Sequence, residues 1–166
     1  VPDLPNSFSE EGWKTLATHG ITKSNWFVCL HVRSNGYLRD QGRREHRNSD
    51  VTNYMDGIKE ITGNGGWVIR LGDKSMPPLP PMPRVIDYAA CDWKRDYLDL
   101  FFIRNCRFFI GCLSGPWDLA VLFGRPMLTV NMYRWFNDYP VKFIDRGILK
   151  QVFSKKLGRF LGIKEI

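Results

Sequence analysis

No stretch of the sequence approaches the roughly eighteen consecutive apolar residues that a membrane-crossing helix needs, so no such helix is encoded here. The opening, Val1-Pro2-Asp3-Leu4-Pro5, lacks the basic and apolar regions of a secretory leader, and it lacks an initiator Met. Its prolines predict a linker over residues 1–9, with the expectation of a domain that belongs to a longer protein. No Cys-x-x-Cys pair occurs among the four cysteines, which argues against a metal site of the zinc type. Three of the four fall in or beside apolar runs, where reduced thiols serve as small apolar groups, and a reducing cytoplasm suits them. No Gly-x-Gly-x-x-Gly follows the first apolar run, so the usual fingerprint of an NAD or FAD site is missing. No internal repeat or heptad appears. Acidic residues are in deficit: 24 Lys and Arg against 17 Asp and Glu leave a net charge of +7. Apart from Arg39 to Arg47 and the tail Lys150 to Lys164, the basic residues are scattered, which describes a solvated surface rather than a nucleic-acid footprint.

What is present suits one globular domain: 166 residues, 43% hydrophobic and 25% charged. Two apolar runs organise it. Phe27-Val28-Cys29-Leu30-His31-Val32-Arg33 ends on His-x-Arg, and Phe108-Phe109-Ile110-Gly111-Cys112-Leu113-Ser114-Gly115 ends on Ser-Gly before a new helix. Short runs that are apolar on both faces read as buried parallel strands. Further strands are predicted at 67–70, 85–88 and 125–131. Helices are predicted from Ser9 as N-cap to His19-Gly20, over 50–62 with Asn48 or Ser49 as cap, over 94–105 and over 116–123. The proline-rich segment 77–83 predicts an extended surface loop. Residues 134–166 read as an aromatic, basic tail. Strands alternating with helices give an α/β fold: a Rossmann-like parallel sheet of about five strands with helices on both faces.

In such a sheet ligands bind beyond the carboxyl ends of the strands. Arg33 there offers a planar cation that can hold phosphate oxygens bidentately and offset charge on a departing diphosphate, or else pairs with a carboxylate such as Asp73 or Asp99. His31, on the same strand face, is a ligand contact, a brace for the Arg33 loop or a satisfied core histidine. Ser114 and Gly115 mark a strand-to-helix turn where a ligand can approach backbone N–H groups, although Ser114 also reads as a helix cap. Asp99 can accept hydrogen bonds from a ribose or from the Ser-Gly loop, or be a solvated helix carboxylate. Arg70 and Asp73 follow the second strand, where adjacent strand-end loops meet a nucleoside. Arg47-Asn48-Ser49-Asp50 reads as a capping cluster, and Tyr54 and Tyr88 as packing residues. Trp117, Trp135 and Phe136 could stack a base or sugar, with core use the default.

The His-x-Arg strand, Arg47-Asn48-Ser49-Asp50 with Tyr54, Gly65-Gly66-Trp67-Val68-Ile69-Arg70-Leu71-Gly72-Asp73, Ile86-Asp87-Tyr88-Ala89 and Cys106 to Gly111 with Ser114-Gly115 together resemble a family of bacterial glycosyltransferases of surface-glycan assembly. More remotely, the His-x-Arg strand and the Asp99-to-Ser114 segment are similar to the donor half of GDP-fucose-dependent fucosyltransferases, the C-terminal half of a GT-B fold. The resemblance implies a metal-independent transferase of a hexosyl or deoxyhexosyl group, with no cofactor beyond a GDP- or UDP-sugar donor and with a glycan or lipid-linked acceptor. It implies Arg33 on the donor diphosphate with His31 beside it, Asp99 on the nucleoside, and Ser114 with Gly115 on phosphate. It also implies an N-terminal acceptor domain that this sequence has no room for, so the domain alone could bind donor without turnover. A cytoplasmic placement, peripheral to the inner face of the membrane, is compatible. Ser34-Asn35-Gly36 stands where the family often has an acidic residue, and Ser114-Gly115 where the fucosyltransferases carry Ser-Ser. The competing reading is a basic, non-catalytic module that docks on anionic lipid or nucleic acid through the Arg39–Arg47 loop and the tail.

Overall fold

Six parallel strands form the centre of the molecule. The computed structural model describes residues 1–34, 47–132 and 142–165. Its strands are β1 (Phe27–His31), β2 (Trp67–Leu71), β3 (Val85–Ile86), β4 (Phe109–Gly111), β5 (Met127–Met132) and β6 (Arg146–Leu149), arranged β3-β2-β1-β4-β5-β6. Four α-helices connect or flank them: α1 (Asn6–Thr18), α2 (Met55–Gly63), α3 (Asp96–Asn105) and α4 (Gly115–Leu122). A small antiparallel hairpin, β7 (Phe153–Ser154) with β8 (Arg159–Phe160), follows the sheet.

β1 is buried at every position because both sheet faces are covered. Phe27 and Cys29 face one core with Ile69, Leu71, Phe101, Phe102 and Phe109, under α1, α3 and α4. Val28, Leu30 and Val32 face the other with Ile58, Ile61, Val68 and Val130, under α2. Gly12 lets α1 approach α3 closely, because a methyl group there would collide with the Phe101 ring. Trp117 belongs to this core, with its Nε1 donating to Thr129 Oγ1 at 2.9 Å, and so does Tyr88.

Several expectations need correction. The parallel sheet of about five strands is borne out with six, and the tail, for which no strand was expected, supplies β6 and a hairpin. α1 starts at Asn6, within the span expected as linker, and Ser9 lies inside it rather than capping it. Asp50 is the residue whose side chain accepts from Thr52 N, at 2.8 Å, ahead of a 3-10 turn (Val51–Tyr54) and α2. The proline loop is anchored rather than superficial: Leu79 and Met76 are buried, and Pro77 O accepts from the buried Arg70 at 2.7 Å. Arg39 to His46, Trp135 and Phe136 lie outside the described residues.

Candidate functional site

The strand order reverses direction between β1 and β4, and the crevice beyond their carboxyl ends is where open α/β sheets bind ligands. β1 and β4 are hydrogen-bonded neighbours with His31 opposite Gly111. The His-x-Arg and Ser-Gly turns therefore emerge side by side, although the sequence separates them widely.

The two turns are linked. Ser114 Oγ lies 3.1 Å from His31 Nδ1 and 2.9 Å from the Cys112 carbonyl. A carbonyl only accepts, so the single Ser114 proton goes to Cys112 O and His31 Nδ1–H donates to Ser114 Oγ. This fixes the neutral tautomer with Nε2 as an acceptor. Burial, followed by the charges of Arg70 and Arg33, lowers the His31 pKa to about 4, with Asp73 opposing and Lys94 assisting. At neutral pH the imidazole is uncharged and can accept a hydrogen bond, but it is too weakly basic to carry a proton away efficiently.

Ser114 occupies the N-cap position of α4 without capping through its side chain, which is engaged with His31 and Cys112 instead. The cap alternative for its hydroxyl is thereby removed. The first turn of α4 contains Pro116, which has no N–H, so Gly115 and Trp117 present its leading amides at the positive end of the helix dipole. Gly115 is exposed, and a methyl group there would meet nothing within 4 Å.

Arg33 is half-buried at the end of β1, and its carbonyl accepts from Ser49 N at 3.1 Å. Burial pushes the Cys112 thiol up, against the Arg33 backbone N–H and the Arg33 and Arg47 charges, which favour the thiolate. Arg33 thus lies beside β4's end, as the pairing of turns requires.

The remaining nominated residues divide. Asp73, half-buried after β2, holds an Asx turn by accepting from Ser75 N at 2.8 Å, and its charge reaches His31. Asp99 stands in the first turn of α3 and pairs with Lys94 at 2.6 Å, while burial raises its pKa despite that partner. Arg70 is 1% exposed, with Nη1 on both Asp87 carboxylate oxygens at 3.2 Å and on Pro77 O. Its hydrogen bonds hold the proline loop; its charge still acts on His31.

Sequence reasoning missed Lys94, whose ammonium sits 4.5 Å from the Tyr88 ring centroid, pairs with Asp99 and adds its charge to the field at His31. It read Arg47 as part of a capping cluster and of the basic Arg39–Arg47 loop, not as a contact of the crevice. A cavity of about 510 Å³ opens on the α2 face, over Leu30, Ile110, Leu128 and Val130, and Ser49 and Asn131 also line it. His31, Arg33 and Ser114 do not line it. No cluster of acidic, His or Cys side chains suited to a metal occurs among the described residues.

No protein-family model and no curated protein sequence matches this chain. Its fold is similar to that of a glycosyl transferase family 9 protein from Veillonella parvula DSM 2008, with a TM-score of 0.66 and 13% identity, over 99% of this chain and 48% of that one. A weaker likeness, with a TM-score of 0.48 and 11% identity, links 99% of the chain to 62% of KpsC, a beta Kdo 2,4 transferase from Thermosulfurimonas dismutans. The chain spans about half the length of the family 9 structure. At these identities the likeness is one of fold: a Rossmann-like α/β domain similar to those of GT-B glycosyltransferases.

Proposed function

We propose that this is the nucleotide-sugar-binding domain of a metal-independent glycosyltransferase, with the donor diphosphate held at the β1–β4 crevice. The observation that carries this reading is the contact between the two strand ends, His31 Nδ1 to Ser114 Oγ, with Arg33 and the α4 amides around it. An acceptor hydroxyl would attack the anomeric carbon, the bond to the diphosphate oxygen would break with its electron pair leaving on that oxygen, and the hydroxyl proton would pass to the departing diphosphate. Arg33 and the amides of Gly115 and Trp117 stabilise that developing charge, which lowers the barrier because the contacts strengthen as the charge grows. His31 stays neutral and accepts a donor hydroxyl through Nε2. On this reading Asp73 and Asp99 would serve the nucleoside. The acceptor, a glycan or lipid-linked saccharide of a bacterial surface polymer, would be supplied to this half by a second domain.

A thermal-shift panel of GDP- and UDP-sugars tests the reading. GDP or UDP should raise the melting temperature of wild type and not of Arg33→Ala. Equal shifts in both proteins would count against the site.

A second reading is favoured by the tail. Of the large apolar side chains that the described residues expose, all but Val1 and Leu122 lie between Phe143 and Ile163, among Lys142, Arg146, Lys150, Lys155, Lys156, Arg159 and Lys164. Exposed Ile and Leu side chains, with Phe143, Phe153 and Phe160, interleaved with cations suit an anionic lipid surface, where apolar groups enter the acyl boundary and cations meet the headgroups. Binding to anionic vesicles that collapses with added salt and ignores nucleotides would favour this second reading.

A further inference from the structure

The chain that leaves β1 at Arg33 has returned to it by Ser49, whose N–H donates to Arg33 O at 3.1 Å. From there the segment is tied to β5. Asn131 Nδ2 donates to Arg47 O at 3.1 Å and to Asn48 O at 3.3 Å, so one side-chain amide grips two successive carbonyls. In the sheet, β4 stands between β1 and β5. A segment bonded to Arg33 on one side and to Asn131 on the other must therefore cross the carboxyl end of β4, where Cys112 begins the turn into α4.

Asn131 itself is unusual. Its φ is +57°, a left-handed conformation that side chains other than Gly, Asn and Asp adopt only at a cost, and the β5–β6 register breaks beside it. At this break in the ladder the side-chain amide bonds to the Arg47 and Asn48 carbonyls.

We propose that Arg47 is a second phosphate-binding cation of the β1–β4 crevice and that Asn131 is the positioning residue that holds it over the end of β4. The proposal rests on the diphosphate reading given above and adds the class of ligand it selects. A nucleoside diphosphate carries charge on two phosphate groups. One guanidinium grips one of them in a bidentate fork, and a second, carried by the segment that Asn131 holds, grips the other. The site then distinguishes diphosphates from monophosphates. The field at Cys112 agrees with this placement, because the Arg33 and Arg47 charges both act on its thiol.

The test is calorimetric titration of the full chain with GDP, GMP, UDP and UMP at one fixed ionic strength. Wild type should prefer diphosphate over monophosphate by about tenfold or more. Arg47→Ala and Arg47→Gln should bring that preference down to within about threefold while leaving monophosphate affinity nearly unchanged. Asn131→Gly keeps the left-handed backbone and removes only the amide. It should lose the same preference, a ratio that a purely structural role would not move, and Arg47→Lys should restore part of it. An unchanged preference in both Arg47→Gln and Asn131→Gly, with Arg33→Ala losing it, overturns this proposal and leaves the diphosphate site standing. Failure of wild type to bind any nucleoside diphosphate overturns both.

Discussion

Ser114 Oγ and His31 Nδ1 are 3.1 Å apart although 83 positions separate them in the chain. The contact joins the two central strands at the point where the sheet changes direction. It also decides the tautomer of the His31 imidazole.

The His31 pKa sets the acid sensitivity. Its folded-state value of about 4 lies below the ordinary 6.5 of an unfolded chain. Above pH 6.5 the ring is neutral in both states and costs nothing. Between pH 6.5 and 4 the unfolded chain takes up a proton that the folded one refuses, so stability falls as pH falls. Below pH 4 the loss is complete, at about 3 kcal/mol. His31→Asn keeps an N–H for Ser114 and cannot titrate in this range. Denaturant melts from pH 7 to pH 4 should show a shallower decline for His31→Asn than for wild type. Parallel declines would mean that His31 protonates freely in the folded protein.

The buried Arg70–Asp87 pair should behave unlike an exposed one. Asp87→Ala strands a guanidinium that is almost fully buried and removes the acceptor of Leu79 N, at an expected cost of about 3 kcal/mol. Lys59→Ala removes a partner of Asp56 in a pair that is 65% and 97% exposed, and should cost less than about 0.5 kcal/mol. Chemical denaturation of the two variants checks the contrast. Similar small losses would show that Arg70 finds other partners.

Two glycines are expected to separate stability from binding. Gly12→Ala drives a methyl into Phe101 at the α1–α3 contact and should destabilise by roughly 1–3 kcal/mol. Gly115→Ala adds a methyl in open space at the start of α4, so the melting temperature should hold while nucleotide affinity drops, because the methyl occupies the ligand's approach. Melting curves and a GDP titration on both variants read this directly. A Gly115→Ala protein with wild-type affinity would place the ligand elsewhere.

Much of this was legible in the sequence, for identifiable reasons. Phe27 to His31 and Phe109 to Gly111 are buried on both faces and carry that in their composition, so the parallel sheet and its switch point could be read. Pro116 marked the start of α4. β6 could not be read in the same way: Arg146, Gly147 and Ile148 are exposed on an edge strand and carry no apolar run. The role of Arg70 was hidden because its partners, Asp87 and Pro77, are brought to it by tertiary folding. Asn131 acts through the carbonyls of Arg47 and Asn48, which lie far away in the chain, and Lys94 pairs with the nearby Asp99 outside any recognisable motif. Arg47 was visible in a motif, yet only the Asn131 bonds show that its backbone crosses the strand ends.

The most direct measurement is amide chemical-shift perturbation on the isotopically labelled chain titrated with GDP. Saturable shifts concentrated at Arg33, Cys112, Ser114, Gly115 and Trp117, and absent in Arg33→Ala, are the predicted result. Shifts confined to Tyr54, Ile58 and Val130 around the α2-face cavity, or none at all, would contradict the assignment of the β1–β4 crevice as a diphosphate site.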